Sequence, residues 1–222
     1  MPILLTAAIG FAAGKLLDIN SKTVSRLTFN VFSPALVFTL LTTSQLSGNV
    51  ILQMVGFAVT TAAISGVLAV IVSKFAKLDR KTTIAIVLTS MFTNAGNFGL
   101  SLTKFAFGDE ALAYASVFFV TSASMIYTIG VTIASMGKHS VKDTILGLFK
   151  LPPIYAVILA ALINIAGVQL PEFASKSITI LGEAAIPMML VLLGIQLRKV
   201  DLKNDFKQLG IATIIRLAVS PI

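Results

Sequence analysis

The amino-acid sequence predicts an all-helical protein that crosses a membrane several times. Of its 222 residues, 56% are hydrophobic and only 12% are charged, and the mean hydropathy is +0.96, far above that of soluble globular domains. Its apolar runs suit helices, which need roughly 20 residues to cross a hydrocarbon core about 30 Å thick. The short alternating segments typical of outer-membrane strands are absent from the sequence. We therefore expect an all-α integral membrane protein.

Polar and charged breaks divide the sequence into eight candidate spans. In chain order they cover approximately residues 1–14, 24–44, 50–72, 82–102, 111–136, 146–166, 177–197 and 209–222. The first and last are short for a full crossing. Residues 1–14 lack the basic start and small-residue cleavage site of a secretory signal, so they are predicted to be a retained first span.

Basic residues predict the orientation of these spans. The odd-numbered loops hold fourteen of the 17 lysines and arginines. These are Lys15, Lys22, Arg26, Lys74, Lys77, Arg80, Lys81, Lys138, Lys142, Lys150, Arg198, Lys199, Lys203 and Lys207. Because basic residues accumulate in cytoplasmic loops, the odd loops are predicted to be cytoplasmic and the N-terminus to lie outside. The formal charge of +8 therefore indicates membrane topology and no nucleic-acid partner.

Two spans share a pattern that suggests an internal repeat. Asn30 precedes Pro34 by four positions, and Glu183 precedes Pro187 by four, so both pairs are offset by 153. Five spans separate the paired elements, and an odd number inverts the second half relative to the first. Chance recurrence of a polar residue one turn before a proline is the alternative. Both prolines are predicted to kink their helices.

The repeat predicts a division of the chain into three parts. Residues 1–136 would form a first five-helix repeat, residues 137–145 a cytoplasmic linker, and residues 146–222 three helices of an incomplete second repeat. The same offset puts the counterpart of Asn94 near position 247, beyond Ile222. We therefore expect the second repeat to lack its last two helices in this sequence.

The segment TNAGNFGLSL, residues 93–102, is the strongest functional signal in the sequence. It brings Asn94 and Asn97, which offer amide donors and carbonyl acceptors, together with Gly96 and Gly99 inside an otherwise apolar span. Loosened or polar backbone at membrane depth is tolerated only where it is buried in protein or lines a cavity. The pattern predicts a broken helix that holds an anion or a coupling ion. Close helix packing by the glycines and interhelical hydrogen bonds by the asparagines are the alternative.

Two charged residues lie well inside predicted spans. Glu183 and Arg216 would be charge partners, or Arg216 would neutralise an anionic substrate. Snorkelling toward the cytoplasmic face is the alternative for Arg216, and a structural or protonated role is expected for Glu183. Gly10 and Gly14 form a GxxxG pattern that predicts helix contact. Most other intramembrane polar residues are expected to join helices or form kinks: Asn30, Ser33, Asn164 and Gln196.

Enzyme and metal signatures are absent from the sequence. It contains no HExxH, GxSxG or GxxxxGK motif and no cysteine, and its one histidine, His139, falls in a basic loop. We expect neither enzymatic activity nor a metal or other cofactor.

Several segments resemble one transporter family. TNAGNFGLSL and the following FAFGDEALAYASVFFVTSASMIYTIGV resemble the fourth and fifth spans of bacterial auxin efflux carrier family transporters, which include malonate and malate carriers and are related to plant PIN proteins. LTFNVFSPALVF, LPPIYAVILAALINIAGVQLP and GEAAIPMMLVLLGIQL resemble the second, sixth and seventh spans. The resemblance covers essentially the whole chain.

This resemblance implies ten spans in two inverted five-span repeats, whose fourth and ninth spans break and cross at the membrane centre. Asn94 matches the crossover asparagine, Ala95 to Gly99 would be unwound, and Ser101 stands where the family commonly has proline. The implied substrate-binding residues are Asn94, Gly96, Asn97, Gly99 and Ser101. Spans one, two, six and seven would form a scaffold, and the others a moving transport unit.

The expected function is secondary transport by alternating access. The substrate would be a small organic anion, either a dicarboxylate such as malonate or malate or an auxin-like carboxylate, and the location a bacterial inner membrane. Coupling to a proton or sodium and a homodimer are further expectations. A cation or proton exchanger is one alternative, although Asp109 and Glu110 are predicted to lie in the outer loop beyond the break. A truncated, non-transporting membrane protein or subunit is another.

Overall fold

The computed structural model describes residues 2–44, 46–135, 146–147, 149–198, 210 and 213–214. Its main helices are α1 (Pro2–Leu16), α2 (Ser21–Leu27), α3 (Ser33–Thr43), α4 (Gly48–Phe75), α5 (Arg80–Met91), α6 (Ser101–Met125), α7 (Val131–Ala134), α8 (Pro152–Ala166) and α9 (Glu172–Leu197). Three wide π-helical turns are π1 (Thr28–Phe32), π2 (Ala95–Leu100) and π3 (Ile126–Gly130). The described residues include no strand, which confirms the all-helical prediction for them.

Within the part of the chain that the structure describes, four helical segments are long and apolar enough to cross a membrane. They are Ser21–Thr43, Gly48–Phe75, Arg80–Ala134 and Glu172–Leu197, and two shorter apolar helices are Pro2–Leu16 and Pro152–Ala166. The third segment contains a kink in α6 at Gly108, whose φ of 84° and ψ of −170° are not helical. The chain is thus a multi-pass membrane protein. The predicted linker at 137–145 and nearly all of the predicted span at 209–222 lie outside the described residues.

Local sequence signals account for several helix ends. Asn20 caps α2, since its Oδ1 accepts hydrogen bonds from the backbone N–H groups of Lys22 and Thr23. Asp79 caps α5 in the same way. α8 begins at Pro152 and ends at Ala166, and it is followed by the cap residue Gly167, which adopts the left-handed conformation with φ of 62°.

The turn π1 lies directly before Pro34. Proline has no N–H to continue the helical ladder and its ring crowds the preceding turn. The wider turn relieves this, because both the backbone N–H and the Oγ of Ser33 donate to the carbonyl oxygen of Thr28, five residues back. A π-helical turn therefore precedes Pro34, and the kinks at Pro34 and Pro187 stay predictions.

The chain forms two compact units. The first comprises Met1–Ile51, Asn94–Val120 and Phe149–Val200, and the second Leu52–Thr93, Thr121–Leu148 and Asp201–Ile222. The first unit therefore contains the spans that the resemblance assigns to the scaffold. It also contains Asn94–Val120, from the fourth and fifth spans, which the resemblance assigns to the moving unit. The division into two sequential repeats stays a prediction.

Small residues hold α1 against α9 in the first unit. A methyl group on Gly10 would overlap the backbone of Val191, and one on Gly194 would overlap the backbone of Ala7 and Phe11. A methyl group on Gly14 would come within 3.3 Å of Ile195 Cα. The predicted role of the GxxxG pattern in helix contact is confirmed.

The helix α3 packs against both α8 and α9. Asn164 in α8 donates a hydrogen bond from Nδ2 to the carbonyl oxygen of Leu41, at 2.8 Å, and so joins two helices as predicted. On α9, a methyl group at Gly182 would lie 3.1 Å from the backbone of Leu36. In the second unit, Ala69 of α4 and Ile86 and Val87 of α5 form a small apolar core.

Candidate functional site

The fourth predicted span is broken, as its sequence indicates. α5 ends at Met91, Phe92 is extended with φ of −113° and ψ of 119°, and helix resumes at Ala95 as π2. The non-helical residues are Phe92 to Asn94, so the expectation that Ala95 to Gly99 are unwound is wrong. The physical reason is that Asn94 acts as an N-cap: its Oδ1 accepts a hydrogen bond from the N–H of Asn97, and helical turns follow at once.

The start of π2 presents several polar groups without partners. Among the described residues, neither Asn94 Nδ2 nor the side-chain amide of Asn97 makes a hydrogen bond, and the Asn94 side chain is exposed. The first N–H groups of a helix also lack intrahelical acceptors and carry the positive end of its dipole. Together these donors form a small region suited to an anionic group, which we call the π2 start.

The glycines of π2 allow close approach. A methyl group on Gly96 would lie 2.9 Å from the ring of Phe119, and one on Gly99 would lie 3.4 Å from the carbonyl oxygen of Asn94. That same carbonyl oxygen accepts a 2.9 Å hydrogen bond from the N–H of Gly99. Both glycines therefore shape the segment without contributing a side chain to a ligand.

Ser101 faces into the protein. It is fully buried, and its Oγ donates a 3.2 Å hydrogen bond to the carbonyl oxygen of Asn97. The hydroxyl thus satisfies a backbone acceptor in a wide turn. Its role in the described structure is to support Asn97.

Aromatic side chains pack against the buried side of π2. Phe119 is buried against Gly96 and meets Phe29 of π1 edge to face, with ring centroids 6.5 Å apart. The helix α9 also contacts both π1 and π2. Sequence reasoning missed Phe119, because its partner lies 23 positions away and an apolar phenylalanine in a span carries no distinctive signal.

A cavity of about 510 Å³ opens in the first unit among α3, α6 and α9. Its charged lining residues are Lys104, Asp109 and Glu183, and Lys104 Nζ lies 2.9 Å from Asp109 Oδ1. Glu183 has no ion-pair partner among the described residues. Hydroxyl groups of Thr39, Thr43 and Thr179 add to the lining. One ammonium group and two carboxyl groups thus line this cavity.

The sequence shows these three charged residues but does not indicate that they line one cavity. Asp109 was expected in the outer loop beyond the break. In the structure α6 kinks at Gly108, and the neighbouring Asp109 lines the cavity while its side chain stays largely exposed. Pro187 also lines this cavity, one turn after Glu183. Arg216, the predicted partner of Glu183, lies outside the described residues.

Comparison with known proteins agrees with this architecture. A model of a family described as membrane transport protein matches residues 1–222. An uncharacterized transporter of Methanothermobacter thermautotrophicus is 25% identical over 231 residues, which cover 100% of this chain and 74% of the relative. An uncharacterized transporter of Methanocaldococcus jannaschii is 26% identical over 230 residues, covering 99% of this chain and 74% of that protein.

Three observations point to a transporter. They are the broken membrane helix with its amide donors, the polar cavity among apolar helices, and the family match along the whole sequence. The chain belongs to the membrane transport protein family, the auxin efflux carrier family of transporters.

Proposed function

We propose that this protein is a secondary transporter that moves a small organic anion across a bacterial inner membrane by alternating access. The substrate class is a dicarboxylate such as malonate or malate, or an auxin-like carboxylate. The observation that carries the proposal is the π2 start, where the Nδ2 groups of Asn94 and Asn97, which have no acceptor among the described residues, adjoin the positive end of a helix. Ten spans in two inverted repeats, a homodimer and an outer N-terminus belong to the same proposal.

The chemistry of the π2 start favours a carboxylate. Amide N–H groups and helix-start N–H groups donate hydrogen bonds, and a carboxylate accepts up to four. No lysine or arginine lies in the π2 segment, so the anion would be held by dipoles. A site without a permanent counter-charge binds an anion reversibly, which a carrier requires for release on the other side.

The proposed substrate residues divide by role. Asn94 and Asn97 donate to the anion, Gly96 and Gly99 let the backbone adopt its shape, and Ser101 positions Asn97 from behind. The cavity lined by Lys104, Asp109 and Glu183 offers two carboxyl groups and only one ammonium group, so the proposal assigns the dicarboxylate to the π2 start.

Uptake of malonate and malate into liposomes containing the protein as its gene encodes it tests the proposal. Asn97→Asp replaces two donors by a carboxylate of nearly the same size, so like-charge repulsion should reduce uptake to background. Asn94→Ala should weaken substrate binding about tenfold, since it removes the cap and one donor.

Asn49→Asp is the matched control, because it adds the same charge at the exposed start of α4. It should leave uptake unchanged. Full uptake by Asn97→Asp, or equal losses in Asn97→Asp and Asn49→Asp, would contradict the proposed site.

A second candidate function is cation- or proton-coupled exchange. The observation favouring it is that Glu183, without an ion-pair partner among the described residues, shares a cavity with Asp109. A carboxylate at membrane depth commonly marks a cation or proton pathway. Glu183→Gln should then abolish the response of flux to sodium or pH gradients while leaving malate binding intact. Asp109 and Lys104 face the same cavity, so Lys104→Gln/Asp109→Asn serves as the charge-neutral comparison.

A further inference from the structure

Three helices of the first unit have ends that lie close together. α1 ends at Leu16 and α9 at Leu197, and the close approach of Gly14 to Ile195 puts these two ends side by side. α2 starts a few residues after α1 ends, at Ser21. Between the start of α2 and the end of α9 lies a cavity of about 270 Å³. We call it the basic cavity, and its lining residues are Ser21, Lys22, Ser25, Arg26 and Gln196.

The two cations of the basic cavity are not explained by helix energetics. Lys22 and Arg26 are one turn apart, a spacing at which like charges repel. Lys22 also lies in the first turn, at the positive end of the dipole. Among the described residues, neither side chain has a carboxylate within 4 Å. Arg26 lies in the last turn of α2, but the chain continues directly into π1 and α3, so this is not a free helix end. Lys15 and Arg198, by contrast, lie at helix ends where a cation is favourable.

The donors of this cavity are side chains. The backbone N–H groups of Lys22 and Thr23 already donate to Asn20 Oδ1, at 3.0 and 3.3 Å. An anion in the cavity would therefore be bound by the guanidinium of Arg26, the ammonium of Lys22 and the amide of Gln196. A guanidinium donates two parallel hydrogen bonds to a phosphate, which suits this arrangement to a phosphate group.

Exposed leucines lie next to the cavity residues in the sequence. Leu27 directly follows Arg26 and Leu197 directly follows Gln196, and both are exposed, as are Leu16 at the end of α1 and Leu17 after it. A polar cavity with exposed leucines nearby, at the ends of membrane-spanning helices, suits the level of lipid headgroups. A ligand with an anionic head and acyl chains satisfies both surfaces at once.

We propose that the basic cavity binds the phosphate of an anionic phospholipid, with its acyl chains covering the neighbouring leucines. Basic pockets between membrane helices are known to hold such headgroups. This site is distinct from the π2 start and does not depend on which substrate the protein carries.

Native mass spectrometry of the detergent-purified protein, titrated with dioleoyl phosphatidylglycerol or dioleoyl phosphatidylcholine, tests this inference. We expect phosphatidylglycerol to bind at least about tenfold more tightly than phosphatidylcholine. Lys22→Gln/Arg26→Gln should weaken phosphatidylglycerol binding about 30-fold, as expected for two basic residues near anionic lipid. Arg26→Lys, which keeps the charge but loses the planar fork, should fall in between.

Lys74→Gln/Lys81→Gln is the matched control, because it also removes two exposed basic residues, at the end of α4 and the start of α5. It should change phosphatidylglycerol binding less than about twofold if the cavity is specific. Equal losses in both double variants would mean diffuse charge attraction and would overturn the site. Lack of any preference for phosphatidylglycerol would do the same.

Two further measurements separate other outcomes. Binding of inorganic phosphate alone, with no preference between the two lipids, would identify a soluble anion and overturn the lipid assignment. Thermal unfolding in phosphatidylcholine micelles checks the fold of Lys22→Gln/Arg26→Gln. Its melting temperature should equal or exceed that of the original protein, since the substitutions relieve repulsion between Lys22 and Arg26.

Discussion

Gly96 is closely packed at the start of the helix that follows the break. A methyl group there would lie 2.9 Å from the buried ring of Phe119, which Phe29 also contacts. Gly96→Ala should therefore destabilise the protein by about 1–3 kcal/mol, the usual cost of overpacking. Thermal unfolding in detergent measures this as a lower melting temperature.

Gly56→Ala provides the comparison, since a methyl group on Gly56, inside α4, would have no atom within 4 Å. It should be neutral or stabilise the helix by up to about 1 kcal/mol, because alanine is the better helix former. Similar destabilisation by both variants would mean that Phe119 does not constrain π2.

Asp79 gives the stability of the protein a dependence on pH. Its carboxyl has a pKa below the ordinary value of 3.8, chiefly because the Thr82 hydroxyl donates a hydrogen bond to Oδ2. Its contribution is therefore fully present above the unfolded value and is lost as pH falls through the folded pKa. Asp79→Asn keeps a capping oxygen without the charge. The difference in unfolding free energy between the original protein and Asp79→Asn should persist from neutral pH down to the pKa of this carboxyl in the unfolded state. It should vanish below the pKa of the carboxyl in the folded state.

Denaturation curves in detergent between pH 7 and pH 3 provide this measurement. Thr82→Val serves as the control, since it removes the main cause of the lowered pKa. A difference that does not change with pH would assign the role of Asp79 to its capping geometry alone.

Packing between the helices α1 and α9 depends on direct contact between their backbones. A methyl group on Gly194 would overlap the main chain of Ala7 and Phe11, and a backbone cannot move aside as a side chain can. Gly194→Ala should therefore cost more than Gly96→Ala, above about 3 kcal/mol. Limited proteolysis should then release α1 first.

Gly48→Ala is the control for that experiment, since no atom lies within 4 Å of its methyl position. If α1 in Gly194→Ala resists proteolysis as well as it does in the original protein, a backbone contact between α1 and α9 would be contradicted.

Sequence information was sufficient for the break in the fourth span but not for its boundaries. Two asparagines and two glycines in apolar surroundings signal irregular backbone, while the choice between an unwound segment and a capped wide turn depends on one hydrogen bond, from Asn97 N–H to Asn94 Oδ1. Asp109 and Glu183 line one cavity beside the kink at Gly108, whose backbone conformation the sequence leaves open. Contacts over long sequence separations, such as Gly96 with Phe119, have no local signal.

The orientation of the whole molecule can be tested directly because the sequence contains no cysteine. Single cysteines introduced at exposed positions report their side of the membrane. If the odd loops are cytoplasmic, Ser47→Cys should react with a membrane-impermeant maleimide in intact cells, and Ala76→Cys only after permeabilisation. The reverse pattern would invert the proposed topology.

A wide turn adds one residue to a helix without changing where its ends lie in the membrane by more than about 1.5 Å. The described part of the chain contains three such turns, and two of them, π1 and π2, adjoin the packed rings of Phe29 and Phe119. In a regular α-helix an extra residue rotates everything that follows by about 100° around the axis, whereas a wide turn accommodates that residue within a single i→i+5 loop. We therefore expect related chains to gain or lose one residue at π1 or π2 while the flanking helices keep the same faces toward their neighbours.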